Sequence, residues 1–373
     1  LGIPAEPLFR SCLIIGYSAT DLHADLMQAT QEARPGPFYV FLDEIQDVPG
    51  WEEVVRRLHS RDDTDVYITG SNARLLSGEL ATHLTGRYIT IPVYPLSFDE
   101  YQRHHRAQGT TDSTDQLFSK YMMFGGMPGL FVTGQPDQDR ATEILTSIYE
   151  SIVMKDVAGR YGIRDIATLE KLSRYLFSTS GNLFSVNKVA NTLTSAGANA
   201  SYATVDNQIS ALERSFIVYS AQQERMRGKE LLRPQRKFYP VDNGFRNLAT
   251  GFNGSDRGAQ LEGIVFMELQ RRGYDVAIGS LPDGEIDFIA KRGNDKQYIQ
   301  VTLNMTEEQT RERELAPLRR LGDAFPRTVL TLDWHSEGMT DEGIHITNVM
   351  DWLCSEERAG YDDTPKECSQ NGG

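Results

Sequence analysis

The apolar positions of this chain change rhythm along its length. Phe38-Tyr39-Val40-Phe41-Leu42 is a continuous apolar run. A run apolar on both faces predicts a strand buried between layers, as in a parallel sheet. Asp65-Val66-Tyr67-Ile68-Thr69-Gly70 predicts a second buried strand, and Tyr88 to Val93 predicts a third strand. Leu13-Ile14-Ile15 predicts a short one near the start. Between them lie helical patterns. Asp21 to Ala33 puts Leu22, Leu26 and Ala29/Ala33 on one face, and Arg34-Pro35-Gly36-Pro37 stops it. Trp51 to Ser60 and Leu75 to Leu84 are also helical. Strand–helix–strand–helix–strand predicts an α/β domain.

From about Ser97 to Ile163 the pattern is helical, broken by Gly125-Gly126-Met127-Pro128-Gly129. Ser185 reads as the N-cap of a helix with Val186, Val189, Ala190 and Leu193 inward. A turn containing Gly197 follows. Ser201 to Ser215 is then a second helix with Val205, Ile209 and Leu212 as its core stripe and Asn207, Gln208 and Ser210 on its other face. Helix, glycine turn and helix is the grammar of a helix-turn-helix. Phe216-Ile217-Val218-Tyr219 starts a strand and Lys237-Phe238-Tyr239 returns, with Arg225, Arg227, Lys229, Arg233, Arg236 and Lys237 as a basic wing. Residues 257–353 return to mixed α/β, and the polar tail after Cys354 has no apolar periodicity.

The strongest local chemistry is at Asp43-Glu44, adjacent carboxylates closing the first buried strand. Such a strand end fits a Walker B element, in which Asp43 binds Mg²⁺ and Glu44 polarises the water that attacks a γ-phosphate. Taken alone, it is equally the pattern of a strand ending in a solvated acidic turn. Asn72, in Thr69-Gly70-Ser71-Asn72, closes the neighbouring strand where a side chain would sense the γ-phosphate. Arg87, in Thr85-Gly86-Arg87, offers a cation for transition-state charge.

Phe41-Leu42-Asp43-Glu44-Ile45-Gln46, Gly50-Trp51-Glu52, Thr69-Gly70-Ser71-Asn72, the segment from Leu75 to Thr82, Leu84-Thr85-Gly86-Arg87 and Tyr94-Pro95-Leu96-Ser97-Phe98 stand in order. Together they resemble the AAA-type P-loop ATPases of archaea and bacteria that carry a C-terminal domain of unknown function. The resemblance covers residues 38–353. It implies an α/β fold: a partial AAA-type parallel sheet over residues 1–96, a helical lid over 97–164 and a winged helix over 165–250. A restriction-endonuclease-like domain over 257–353 and a disordered tail over 354–373 complete it. It also implies ATP and Mg²⁺ as cofactors. One departure matters. No G-x-x-x-x-G-K-[ST] segment occurs in the 373 residues, and residue 1 is Leu. The expectation is a chain that starts after its P-loop, or a remnant that no longer hydrolyses and binds ATP weakly or not at all.

In the C-terminal module, Glu262 on a helix, Asp287 on one strand and Gln300 on the next follow the order of the PD-(D/E)xK nucleases. Thr302 stands where their catalytic lysine belongs. With one anionic ligand and the lysine missing, the expected site is degenerate. The arginines Arg311, Arg313, Arg319 and Arg320, interleaved with Glu312 and Glu314, read as solvated pairs.

Charge sharpens one of these readings. The chain carries a formal net charge of -14, with 38 Lys and Arg against 52 Asp and Glu. Residues 171–250 nonetheless hold 11 basic against 5 acidic side chains. A basic island in an acidic protein is the footprint of phosphate contact, so double-stranded DNA is the expected partner, with another protein as the alternative. Three scattered cysteines, no run of membrane-spanning length and no signal peptide point to the cytoplasm. The expected function is an ATPase that couples nucleotide to a DNA-contacting winged helix. A non-enzymatic DNA- or protein-binding remnant and a metal-dependent nuclease are the alternatives.

Overall fold

The structure is a computed structural model that describes residues 8–11, 18–32, 38–71, 88–132, 134, 136–198, 200–225, 235–252, 256–282 and 284–355. It is a mixed α/β protein: a short parallel sheet, a helical middle and a large C-terminal sheet.

The first sheet has order β1-β2-β3, with β1 at Leu8–Ser11, β2 at Phe38–Asp43 and β3 at Thr64–Ile68, all parallel. Helices α1 (Ala19–Glu32) and α2 (Trp51–His59) share its core. There Leu22, Leu26, Val40, Leu42, Trp51, Val54 and Leu58 are buried together. Val40 and Leu42 lie on the helix side. On the opposite face Phe41 is half-buried and stacks on Tyr67 at 4.8 Å. The strand expected to be buried on both faces is therefore fully buried on one. Strand β1 was not foreseen, and the expected Leu13-Ile14-Ile15 strand and Leu75 to Leu84 helix lie outside the described residues. Tyr88 to Val93, expected as a third strand, forms none, and Ile89, Ile91 and Val93 are exposed. No described strand runs beside it to complete a hydrogen-bond ladder.

The helical middle starts with α3 (Phe98–Ala107) and α4 (Thr114–Phe124). Each opens with a capping box, Ser97 with Glu100 and Ser113 with Gln116, worth about 1 kcal/mol apiece. Helix α4 ends at Gly125, whose φ of 79° favours glycine. A Cβ there would lie 1.8 Å from Asp242 Oδ1. Asp242 instead accepts 2.7 Å hydrogen bonds from the amides of Gly126 and Gly244. Helix α5 (Gln138–Ser151) runs on into a π-helical segment, Ile152–Gly159, before α6 (Ile166–Ser178). π-helical turns concentrate at functional positions.

After the two-residue strand β4 (Leu183–Phe184) come α7 (Val186–Ser195) and α8 (Tyr202–Arg214). Side chains of Ser185 and Ser201 cap them. The second helix buries Val205, Ile209 and Leu212 as expected, and buries Gln208 too. Asn207 remains exposed on the other face. The antiparallel pair β5 (Val218–Arg225) and β6 (Arg236–Pro240) follows. Helices α9 (Asn243–Thr250) and α10 (Arg257–Arg271) lead to β7 (Asp275–Leu281), β8 (Gly284–Arg292) and β9 (Asp295–Thr302). Helix α11 (Glu308–Arg319), β10 (Arg327–Thr331), β11 (Gly338–Met339), β12 (His345–Asn348) and α12 (Val349–Cys354) complete the chain.

The strands from β4 onward form one nine-stranded sheet of order β11-β12-β10-β9-β8-β7-β5-β6-β4. Strand β5 pairs with β7 in parallel, so a single sheet crosses the division expected between residues 165–250 and 257–353. No described helix is long and apolar enough to cross a membrane.

Candidate functional site

Asp43 is the last residue of β2, and Glu44 turns the chain into a 3₁₀ turn at Ile45–Asp47. Glu44 sits at φ 50° and ψ 41°, left-handed backbone that costs a residue with a Cβ about 1–2 kcal/mol. Hydrogen bonds offset that cost. The Glu44 amide donates to Thr69 Oγ1 at 3.2 Å, and Thr69 Oγ1 itself donates to Asp43 Oδ1. The Thr69 amide donates to the Leu42 carbonyl at 2.9 Å, so the ends of β2 and β3 are locked together. Strain held by a network is common where a side chain must be aimed.

The Glu44 carboxylate is not free. Its Oε2 accepts from Gln46 Nε2, from Ser71 Oγ at 3.3 Å and from Arg160 Nη2 at 3.3 Å. Arg160 follows the π-helical segment and also meets Asp156 at 3.2 Å and Asp47 at 3.5 Å. Ser71 Oγ donates to Asp156 Oδ1 at 2.9 Å. Burial raises the Asp156 carboxyl above its ordinary value, opposed by Ser71 and Arg160. Lys155 reaches Asp47 at 3.8 Å. On the far side, Ser215 Oγ donates to the Asp156 carbonyl at 3.1 Å, which ties this cluster to the end of α8. Asn72 and Arg87 lie outside the described residues. Thr69, Ser71, Asp156 and Arg160 were missed as site residues. Thr69 and Ser71 were within reach, because they flank the quoted strand end. Nothing in the local sequence joins Arg160 to a carboxylate more than a hundred residues earlier.

The wing is only partly described. Arg227, Lys229 and Arg233 lie outside the described residues, as does the side chain of Arg225. The other two expected contacts are committed inward. Arg236 pairs with Glu213 at 3.2 Å and Asp206 at 3.5 Å, both on α8. Lys237 is 2% exposed, because β6 is buried on both faces beyond Arg236. It belongs with the third group of residues.

In that nuclease-shaped group Asp287 and Gln300 meet directly, whereas Glu262 is held by Lys237 and Tyr239 and touches neither. Asp287 and Gln300 are cross-strand neighbours, one step past the Phe288–Ile299 pair of β8 and β9. The Asp287 amide donates to Gln300 Oε1 at 3.3 Å, and Asp287 Oδ2 accepts from the Val301 amide at 2.8 Å. Gln300 Nε2 turns away to Glu314 on α11, at 3.0 Å. Glu262 Oε1 accepts from Tyr239 Oη at 2.7 Å and from Lys237 Nζ at 3.2 Å, and Lys237 Nζ also reaches Glu285 Oε1 at 2.7 Å. Burial raises the Glu262 carboxyl and, with Glu262 beside it, pushes Asp287 well above the carboxylate range. Burial alone would lower the Lys237 ammonium, but Glu262, Asp287 and Glu285 hold it above its ordinary value. Among the described residues no group of three or more His, Cys, Asp or Glu side chains is disposed to hold a metal. On α11, Arg319 pairs with Glu312 and Glu342, and Arg313 with Glu314.

Residues 11–102 match the model of an AAA domain, and residues 115–256 match a domain of unknown function, DUF8612. An uncharacterized protein of Haemophilus influenzae is 38% identical over 332 residues, covering 88% of this chain and 81% of that relative. Uncharacterized protein MJ1544 of Methanocaldococcus jannaschii is 30% identical over 287 residues, covering 74% of this chain and 63% of that protein. Among solved structures, the Walker-type ATPase paby2304 of Pyrococcus abyssi aligns over 62% of this chain and 66% of its own, with 14% identity and a TM-score of 0.38. That likeness is too loose to carry a functional argument.

Proposed function

The chain belongs to the family of AAA-type ATPases that carry a C-terminal domain of unknown function, and from that premise we propose that it couples the state of a nucleotide site at Asp43 and Glu44 to a DNA-contacting winged helix. The observation that carries this reading is the Arg160 bridge. One guanidinium joins Glu44, at the strand end, to Asp156, whose carbonyl is held by Ser215 at the end of α8. Any event that moves Glu44 is thereby felt by the helix-turn-helix.

ATP and Mg²⁺ are the cofactors of the family. The residues present fit the metal end of that pair. Asp43, exposed at the strand end and steadied by Thr69, would hold Mg²⁺ directly or through water. Glu44 would polarise the attacking water once released from Arg160, and Asn72 and Arg87 would act on the phosphates. The amide cradle and lysine that grip the phosphates are not in this sequence. We therefore expect residues 1–373 alone to bind Mg-ATP weakly or not at all. Isothermal titration checks this, and micromolar affinity would show that the phosphate grip was misread.

DNA contact rests on Arg225, Arg227, Lys229 and Arg233 together with the exposed face of α8, because Arg236 and Lys237 are used internally. The same lack of a phosphate cradle favours a second reading, a binding module that does not hydrolyse nucleotide. Duplex DNA binding that is indifferent to added Mg-ATP selects it.

A further inference from the structure

Helix α10 opens on Asp256, a residue type that at this position ordinarily accepts a hydrogen bond from the first-turn amides. Here its side chain caps none of them, and its backbone is left-handed at φ 62°. The Gln260 amide donates to the Asp256 carbonyl at 3.3 Å, so Arg257, Gly258 and Ala259 carry the amides that this first helical bond leaves over.

The Asp256 carboxylate turns instead to Arg246 on α9, whose Nη2 donates to Oδ2 at 2.5 Å. The Arg246 side chain is 2% exposed, and its buried Nε has no hydrogen-bond partner among the described residues. Its guanidinium therefore reaches the start of α10 from inside the protein with part of its donor capacity unused. A buried donor left without an acceptor is costly and calls for an explanation such as a bound ion.

Positive charge collects at the same place. The first turn of α10 holds no acidic side chain, and exposed Arg257 stands at the first helical position. A cation there opposes the helix dipole, which places roughly half a positive charge at this end. Arg246 and Arg257 face Asp256 alone, so the local balance favours a further anion. There is also room for one. The Asp256 side chain is 55% exposed, so its seat beside Arg246 opens to solvent. A Cβ on Gly258 would meet nothing among the described residues beyond its own helix within 4 Å.

We propose that Arg246 and the first turn of α10 form a phosphate-binding site whose resident occupant is the Asp256 carboxylate. An arriving phosphate oxygen replaces Asp256 Oδ2 on the guanidinium, other oxygens accept from the first-turn amides, and Asp256 swings out to water. The phosphate belongs to a nucleic-acid backbone or is free in solution. The site uses no residue of the strand end at Asp43 or of the wing, so it stands or falls apart from the function proposed above.

The test uses the full chain at constant ionic strength with two probes, inorganic phosphate followed by isothermal titration and a fluorescein-labelled DNA duplex followed by anisotropy. Asp256→Asn removes the competing charge, and its amide oxygen still accepts from Arg246. It should bind phosphate at least about tenfold tighter than wild type, with Kd near or below about 1 mM, and its Tm should rise as phosphate is added. Gly258→Glu places a carboxylate on the exposed side of the same turn without touching the core. Added to Asp256→Asn, it should abolish the gain. A duplex that follows the same pattern identifies a backbone phosphate, whereas a pattern confined to inorganic phosphate identifies a free one. Equal phosphate affinity in wild type and folded Asp256→Asn overturns the proposal. So does a gain that survives Gly258→Glu.

Discussion

Asp242 joins the end of α4 to the start of α9, and its carboxyl should make stability fall as pH rises. The group is 6% exposed, and burial pushes its pKa from 3.8 up to about 6, in spite of two amide donors and Arg271. The folded chain therefore keeps a proton through a window in which the unfolded chain has released it. The stabilisation is complete below about pH 4 and is lost as pH passes about 6. A shift near two pH units corresponds to roughly 3 kcal/mol. Asp242→Asn removes the titration. It also costs about 1–3 kcal/mol, because one face of the amide donates where the Gly126 or Gly244 amide needs an acceptor. Thermal unfolding of both proteins from pH 4 to 7 isolates the effect, since the other carboxylates are common to both. Wild type should lead at pH 4, and its lead in Tm should shrink by roughly 4–6 °C by pH 7. A constant lead would refute the raised pKa. A lead that grows with pH would show that the two amide donors outweigh burial and favour the ionised form.

Gly125→Ala should lower stability by at least about 3 kcal/mol, since the new methyl meets the Asp242 carboxylate and the backbone is left-handed; urea denaturation measures it. Arg160→Ala releases Glu44, Asp47 and Asp156 together and should cost about 1–3 kcal/mol, with faster proteolytic cutting of the N-terminal sheet; an unchanged cutting rate would show that the bridge holds nothing. Charge reversal at Arg227, Lys229 and Arg233 should weaken duplex DNA binding and flatten its salt slope by about one per lost phosphate contact, whereas Arg236→Glu should act through loss of stability. Supercoiled plasmid incubated with the chain and Mg²⁺ or Mn²⁺ should stay intact; nicking that vanishes in Asp287→Ala would make the chain a nuclease.

Local pattern was enough wherever one segment decides its own fate. The apolar run before Asp43, the stripe from Leu22, and the serine cap at position 185 all specify elements that the structure contains. The nearness of Asp287 and Gln300 was also legible, because two successive antiparallel strands set them opposite each other. Partners brought from a distance were not. Arg160 and Asp156 reach Glu44 only because the π-helical segment folds back on the small sheet. Lys237 was read as a surface cation because its neighbours Arg233 and Arg236 are basic. Beyond Arg236, however, β6 is buried on both faces, and Glu262 and Glu285 pair with the Lys237 ammonium there. Tyr88 to Val93 has the composition of a strand, but pairing needs a neighbour as well as a propensity.

The parallel pairing of β5 with β7 has a consequence for synthesis and for dissection of the chain. The hairpin leaves the ribosome with one edge bare and stays so until β7, which begins at Asp275, emerges. At about 5–20 residues per second, the stretch from Pro240 to Asp275 is a delay of roughly 2–7 s, during which the edge can recruit a strand from another nascent chain. The same pairing makes residues 251–256 a poor place to cut. A fragment ending there would carry the hairpin without the strand that covers it, and one beginning there would leave the β7 side of its sheet open. Cleaner separation lies before Tyr94, where the two sheets share no strand.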